Sequence, residues 1–142
     1  KEYIAVLNKI HQHNTTCAPS FVQKAAIAAF REETDEVENM VREYEERRNC
    51  AVKAINSIPG LSCLTPKGAF YIFINIKALG HSSAWMAEYL LNEAKVALVP
   101  GDVFGPGGEG YLRLSFAASM DAVREGCLRI AEAVKKLQEG EA

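Results

Sequence analysis

The chain has 142 residues, of which 49% are hydrophobic and 24% charged, with a formal net charge of -2. That length can bury a real core, and one domain is the default expectation. Without a basic surplus to neutralise phosphates, nucleic-acid binding is excluded as the main task, and no apolar run approaches the length of a membrane span.

Residues 2 to 12 read as a helix with Ile4, Leu7 and Ile10 on one face. The stretch from Asn14 to Pro19 interrupts it, and Ser20 is placed to cap a second helix that runs to about Phe30. This second helix carries Phe21, Val22, Ala25, Ala26, Ile27, Ala28 and Ala29, so it is apolar on most sides and calls for burial on several of them. A long helix is predicted from about Asp35 to Ser57, with Asp35 and Glu38 as an approximate capping box. Its apolar stripe is Val37, Met40, Val41, Tyr44, Ala51, Ala54, Ile55 and Ile58, and Pro59-Gly60 ends it. The mixed charges from Arg42 to Arg48 read as its solvated face.

A short strand follows near Leu61–Leu64. Ala69–Ile76 reads as a strong strand whose two faces are both apolar enough for a covered, central position. A helix is expected from about Ser83 to Ala94, capped by Ser82 or Ser83. Val96–Val99 reads as a short buried strand, and the Gly/Pro-rich stretch from Pro100 to Gly110 as a long loop. Tyr111–Phe116 alternates as a strand. Ser119 caps a last helix whose stripe is Val123, Cys127, Ile130, Val134 and Leu137. The expected fold is α+β, a small sheet covered by helices.

Arg113 is the candidate functional residue. Leu112, Leu114 and Phe116 share one face of its strand, so the opposite face presents a guanidinium flanked by Tyr111 and Ser115. A guanidinium on a rigid strand suits bidentate capture of a carboxylate; the bland alternative is an ordinary arginine on the wet side of a sheet. Gly68, just before the strong strand, lets backbone approach a ligand or simply makes a turn after Pro66. Lys67 reads as an exposed turn cation. Gly107-Gly108 lacks the strand–turn–helix setting of a phosphate loop. Pro100–Gly105 is either a Pro-stiffened surface loop or a mobile edge of a site. Cys17, Cys50, Cys63 and Cys127 form no metal-binding spacing and read as buried, reduced thiols of a cytoplasmic protein. His11, His13 and His81 have no companions that would make a metal site, and no metal is expected.

Four blocks in order, His11-Gln12-His13-Asn14-Thr15-Thr16-Cys17-Ala18-Pro19, Thr65-Pro66-Lys67-Gly68-Ala69-Phe70-Tyr71, Val96-Ala97-Leu98-Val99-Pro100-Gly101-Asp102-Val103-Phe104-Gly105 and Gly110-Tyr111-Leu112-Arg113-Leu114-Ser115-Phe116-Ala117, carry a resemblance across essentially the whole chain. They resemble the C-terminal part of class I/II pyridoxal-phosphate aminotransferases of fold type I, in their prokaryotic aspartate/aromatic aminotransferase-like form. The resemblance implies that Arg113 binds the substrate α-carboxylate and that Gly68 walls the substrate site. It also implies pyridoxal 5'-phosphate as cofactor in the parent protein, an amino acid and a 2-oxo acid as substrates, and a homodimer with residues 12–19 near the subunit interface. Residues 1–33 are then a remnant of the large cofactor-binding domain, and residues 34–142 the small C-terminal domain, entered through a long interdomain helix. Cys17-Ala18-Pro19 departs from the S-x-P of some relatives, which leaves only its turn role in place.

The Schiff-base lysine of that family sits in a pattern like S-K-x-x-x-x-x-G-x-R, and no such stretch occurs in this chain; Lys24 is followed by Ala25-Ala26-Ile27 without a Gly-x-Arg beyond. The expectation is therefore a chain corresponding to about the last third of an aminotransferase, inactive alone, with no catalytic residue and no cofactor bound covalently. Its start at Lys1 rather than Met fits an excised piece. The alternatives are an amino-acid-binding regulatory α+β domain, a structural domain in which Arg113 forms an internal ion pair, or another fold type I enzyme such as a lyase, decarboxylase or synthase.

Overall fold

The computed structural model describes residues 1–32 and 35–140. The chain divides into two compact units, Lys1–Glu36 and the remainder from Val37 onward. The domain boundary expected between residues 33 and 34 lies outside the described residues.

The first unit holds helix α1 (Glu2–Asn14) and helix α2 (Ser20–Arg31). Neither buries a single residue. Phe30 is 92% exposed and Phe21 73%. Ser20 is not the cap expected of it: Pro19 precedes the first turn and no side chain caps α2. Instead the Gln23 side-chain amide donates to the Ala18 carbonyl at 2.8 Å, which fixes the entry to the helix from one turn inside it.

The second unit is a four-stranded antiparallel sheet with helices packed on one face. Helix α3 (Glu36–Asn56) enters it, followed by β1 (Ser62–Cys63), β2 (Tyr71–Asn75), α4 (Ser83–Tyr89), β3 (Val99–Pro100), β4 (Tyr111–Ser115) and α5 (Met120–Glu139). The strand order is β1-β2-β4-β3. The β2/β4 register sets Ile72 opposite Leu114, Phe73 opposite Arg113 and Ile74 opposite Leu112. Ile72, Ile74, Leu112 and Leu114 are buried, and with Phe116 they meet Ala51 and Ile55 of α3, Met86 of α4, and Cys127, Ile130 and Val134 of α5. The period of 3.6 in α5 and the period of 2 in β4 thus converge on one core. The predicted stripe of α5 and its Ser119 cap are both present, with the Ser119 hydroxyl accepting from the Ala122 amide at 3.2 Å.

Three expectations need correction. The strand β2 is central but covered by this unit on one face only: Ile72 and Ile74 are buried while Phe73 remains 39% exposed. Its aromatic residues mimic a second buried face in the sequence. The strand expected over Val96–Val99 begins three residues later, and only Val99 and Pro100 pair with β4. Val96 and Leu98 are partly buried by packing rather than by a ladder. The helix expected through Ala94 is α-helical only to Tyr89 and closes with a π turn over Leu90–Ala94. That wider turn keeps both Leu90 and Ala94 in the core, and Lys95 ends it in the left-handed conformation at φ 55°.

The stripe of α3 is split. Ala51 and Ile55 are fully buried, whereas Val37, Met40 and Val41 are about half exposed.

Candidate functional site

The open face of the sheet carries Tyr71, Phe73 and Asn75 from β2 and Tyr111, Arg113 and Ser115 from β4, because alternation sends their neighbours into the core. Arg113 is half-buried on this face, directly opposite Phe73 on one side and Val99 on the other. Its Cζ lies over the Tyr71 ring at 4.3 Å and over the Phe104 ring at 4.6 Å. Among the described residues it forms no ion pair; the arginines that do are Arg47, Arg48, Arg124 and Arg129. A guanidinium stacked on π faces keeps its N–H edges for an in-plane acceptor, and carboxylates fit that edge with two parallel hydrogen bonds.

Other rings extend the surface around it. Phe104 meets Phe73 edge-on at 5.6 Å, Phe73 lies 6.1 Å from Tyr111, and Lys77 Nζ sits 4.7 Å over Tyr111. A groove of about 440 Å³ on this face is lined by Cys63, Leu64, Tyr71, Phe73, Asn75 and Tyr111, among others. Burial raises the Cys63 thiol above its ordinary pKa, so it stands there as a neutral, weakly nucleophilic group.

Gly68 is placed elsewhere. It lines a second groove of about 370 Å³ with Tyr44, Arg48, Pro66, Phe70 and Phe116. Arg113 lines neither of these two grooves, so neither of them brings the two predicted site residues together; Pro66 borders both. A Cβ at Gly68 would meet nothing within 4 Å. The residue of this turn that does adopt a left-handed backbone is Ala69, at φ 59°. Lys67 is exposed beside the same groove.

The stretch from Pro100 to Gly110 is not a plain loop. It forms two 3-10 turns, Gly101–Phe104 and Pro106–Gly108, packed backbone to backbone. A Cβ on Gly101 would run into the Gly108 carbonyl oxygen, and one on Gly108 into that of Gly101, so both positions need glycine for close approach. Ser83 closes the loop's far end. It is fully buried and is not the cap of α4; Ser82 is, accepting from the Trp85 amide at 3.2 Å. The Ser83 hydroxyl accepts from the Gly110 amide at 2.9 Å and the Tyr111 amide at 3.2 Å, while the Glu109 carboxylate accepts from the Ser83 amide at 3.0 Å. This latch fixes the loop that carries Phe104 and leads directly into β4. Sequence reading missed the partners of both: those of Ser83 lie 27 and 28 residues along the chain, and Phe104 sits in a Gly/Pro-rich stretch without a periodic signal.

Of the remaining candidates, His11 and His13 are exposed on α1, and Asn14 is its last residue. His81 stacks on Trp85, with ring centroids 3.9 Å apart. Among the described residues no three His, Cys, Asp or Glu side chains converge on a metal-sized site, and no helix is long and apolar enough to cross a membrane. The cysteines are free; Cys127 is buried as expected, but Cys17 is exposed and Cys50 and Cys63 only partly covered.

Residues 1–130 match the family model described as aminotransferase class I and II. An aromatic-amino-acid aminotransferase 2 from Thermococcus litoralis is 44% identical over 130 residues, covering 90% of this chain and 33% of its own length. An aspartate aminotransferase from Pyrococcus horikoshii is 42% identical over 136 residues, covering 94% of this chain and 35% of its own. The crystal structure of an aromatic aminotransferase from Pyrococcus horikoshii OT3 superposes with a TM-score of 0.87 at 40% identity, covering 92% of this chain and 35% of that one. The chain thus spans about a third of the length of the curated relatives it matches. The breadth of the family match, together with the α+β fold it shares with a solved relative, makes this chain a member of the aminotransferase class I and II family.

Proposed function

We propose that the chain is the C-terminal, carboxylate-binding portion of an aminotransferase that moves an amino group between an amino acid and a 2-oxo acid. In this reading residues 1–33 belong to a large cofactor-binding domain and residues 34–142 form the small domain of a cytoplasmic homodimer. The observation that carries it is the state of Arg113: half-buried, stacked on Tyr71 and Phe104, and without an ion-pair partner among the described residues. An arginine serving only the fold would be expected to neutralise a neighbouring acid; this one is held ready for an acceptor.

Arg113 binds the α-carboxylate through two parallel N–H···O bonds and thereby orients the Cα–H bond of the substrate. Orientation of this kind is worth several kcal/mol of barrier, roughly, when the bound geometry is close to the reacting one. Gly68 is a second element of the substrate wall. It borders the groove beside Phe70, and among the described residues nothing lies within 4 Å of where its Cβ would stand.

Pyridoxal 5'-phosphate, when bound, supplies the electron sink for chemistry at Cα. The described residues do not themselves fit that group. Lys67 and Lys77, the lysines beside the sheet, are exposed, whereas an imine-forming amine needs a desolvated setting. The Gly108 amide is already bonded to the Gly105 carbonyl at 2.9 Å, so the Pro106–Gly108 turn offers no anion cradle. The part assigned to this chain is therefore binding and orientation.

The test is an amino-transfer assay on the complete protein with added pyridoxal 5'-phosphate and a panel of amino acids and 2-oxo acids. Transfer of nitrogen to the oxo acid is expected. Release of ammonia or carbon dioxide without need of an acceptor would place the protein instead among the lyases or decarboxylases that share this fold.

A further inference from the structure

Arg113 does not hold its own position. A long side chain with four rotatable bonds loses roughly 2 kcal/mol of rotamer entropy when fixed, so whatever fixes it in advance lowers the cost of binding a carboxylate. Two rings are available for this. Tyr71 comes from β2, where the ladder places it. Phe104 comes from outside the sheet, at the end of the 3-10 turn Gly101–Phe104.

That turn is unusually constrained for a surface connection. Gly101 is buried against Gly108 and the Tyr111 carbonyl, the Gly105 amide donates to the Asp102 carbonyl at 3.0 Å, and Ser83 ties Gly110 and Tyr111 to the start of α4. Phe104 remains 49% exposed despite this, so burial of its own surface does not explain why it is held there. What it touches does: the Arg113 guanidinium, and Phe73 edge-on.

We propose that Phe104 is a positioning residue for substrate carboxylate binding, acting through Arg113. The proposal rests on the assignment of Arg113 as the carboxylate-binding residue. The ring face covers the guanidinium, sheds water from it and fixes its tilt, which leaves one polar edge for the substrate.

The test is a double-mutant cycle on the complete protein, run with the amino acid that turns over best in the amino-transfer assay and 2-oxoglutarate as acceptor. Phe104→Leu keeps apolar bulk beside Phe73 but removes the π face. It should raise KM for the amino acid about tenfold and leave kcat within about twofold. Phe104→Tyr restores the face and should return KM to within about threefold of the parent. In the Arg113→Lys background the Phe104→Leu effect should shrink to less than about twofold, since there is no fork left to position. Full additivity of the two substitutions, or an unchanged KM for Phe104→Leu beside a damaged Arg113→Lys, overturns the role of Phe104 while Arg113 keeps its assignment. Unchanged kinetics for Arg113→Lys itself overturns the underlying assignment and this proposal with it. A fall in melting temperature for Phe104→Leu does not blur the result, because a purely structural contribution is additive in the cycle.

Discussion

The Ser83 hydroxyl, fully buried at the start of α4, accepts a hydrogen bond at 2.9 Å from the Gly110 amide, 27 residues further along the chain. It accepts a second from Tyr111, the first residue of β4. One side chain therefore satisfies two amides at the point where the loop becomes a strand. Removing it leaves the buried Gly110 amide and the partly buried Tyr111 amide without this partner, which costs desolvation of the buried donor rather than only the modest net value of a hydrogen bond.

Ser83→Ala is accordingly expected to destabilise the second unit by about 1–3 kcal/mol, measured by urea unfolding. The loss should come as a lower midpoint with an unchanged dependence on denaturant. A variant within about 0.5 kcal/mol of the parent would mean that water replaces the hydroxyl and that the latch is not a latch.

Cys127 makes stability pH-dependent at the alkaline end. Burial, with smaller contributions from the Cys50 and Cys63 thiols, pushes its pKa up from 9.0 to about 11. The folded state thus holds the proton more tightly than the unfolded state. Stability is fully present below pH 9 and falls as pH rises from about 9 to about 11, by roughly 2–3 kcal/mol in all. Urea melts across that range should show the decline, and Cys127→Ala, although less stable throughout, should show a flatter one. Equal slopes for both proteins would assign the alkaline loss to other groups.

Residues 20–31 are expected to exchange their amide hydrogens much faster than residues 111–115 in this 142-residue chain. Helix α2 buries nothing, and helices of its length without a packed face are marginal in water. Hydrogen exchange followed by mass spectrometry reads both segments at once. Equal protection would show that the apolar surface of α2 has found cover, by association of chains or otherwise.

How much of this was legible in the sequence depends on how far each residue's partners lie. Leu112, Leu114 and Phe116 could be assigned to the core and Arg113 to the opposite face because alternation is a local property, and the Ser119 cap of α5 is equally local. Ser83 resembles a second helix cap until its partners across the fold are seen. Phe104 sits in a Gly/Pro-rich stretch that carries no periodic signal, so its meeting with Arg113 is a product of the folded loop. The shift of β3 has a similar origin. Val96 to Val99 has strand composition, but pairing begins only at Val99, after the π turn ending at Ala94 and the left-handed Lys95 have redirected the chain. Tyr71 and Phe73 misled in the opposite sense, because aromatic residues on an open face of the sheet read like a second buried face.

The most direct measurement of the central claim is steady-state kinetics of Arg113→Lys in the complete protein, paired with a thermal melt. Lysine keeps the charge but loses the two-pronged geometry, and the packing of β4 is carried by Leu112 and Leu114 on the other face. A fall in kcat/KM on the order of 10²-fold is expected, with the melting temperature and cofactor content almost unchanged. A large drop in melting temperature with normal kinetics would contradict it, and would make Arg113 a residue of the fold rather than of the substrate site.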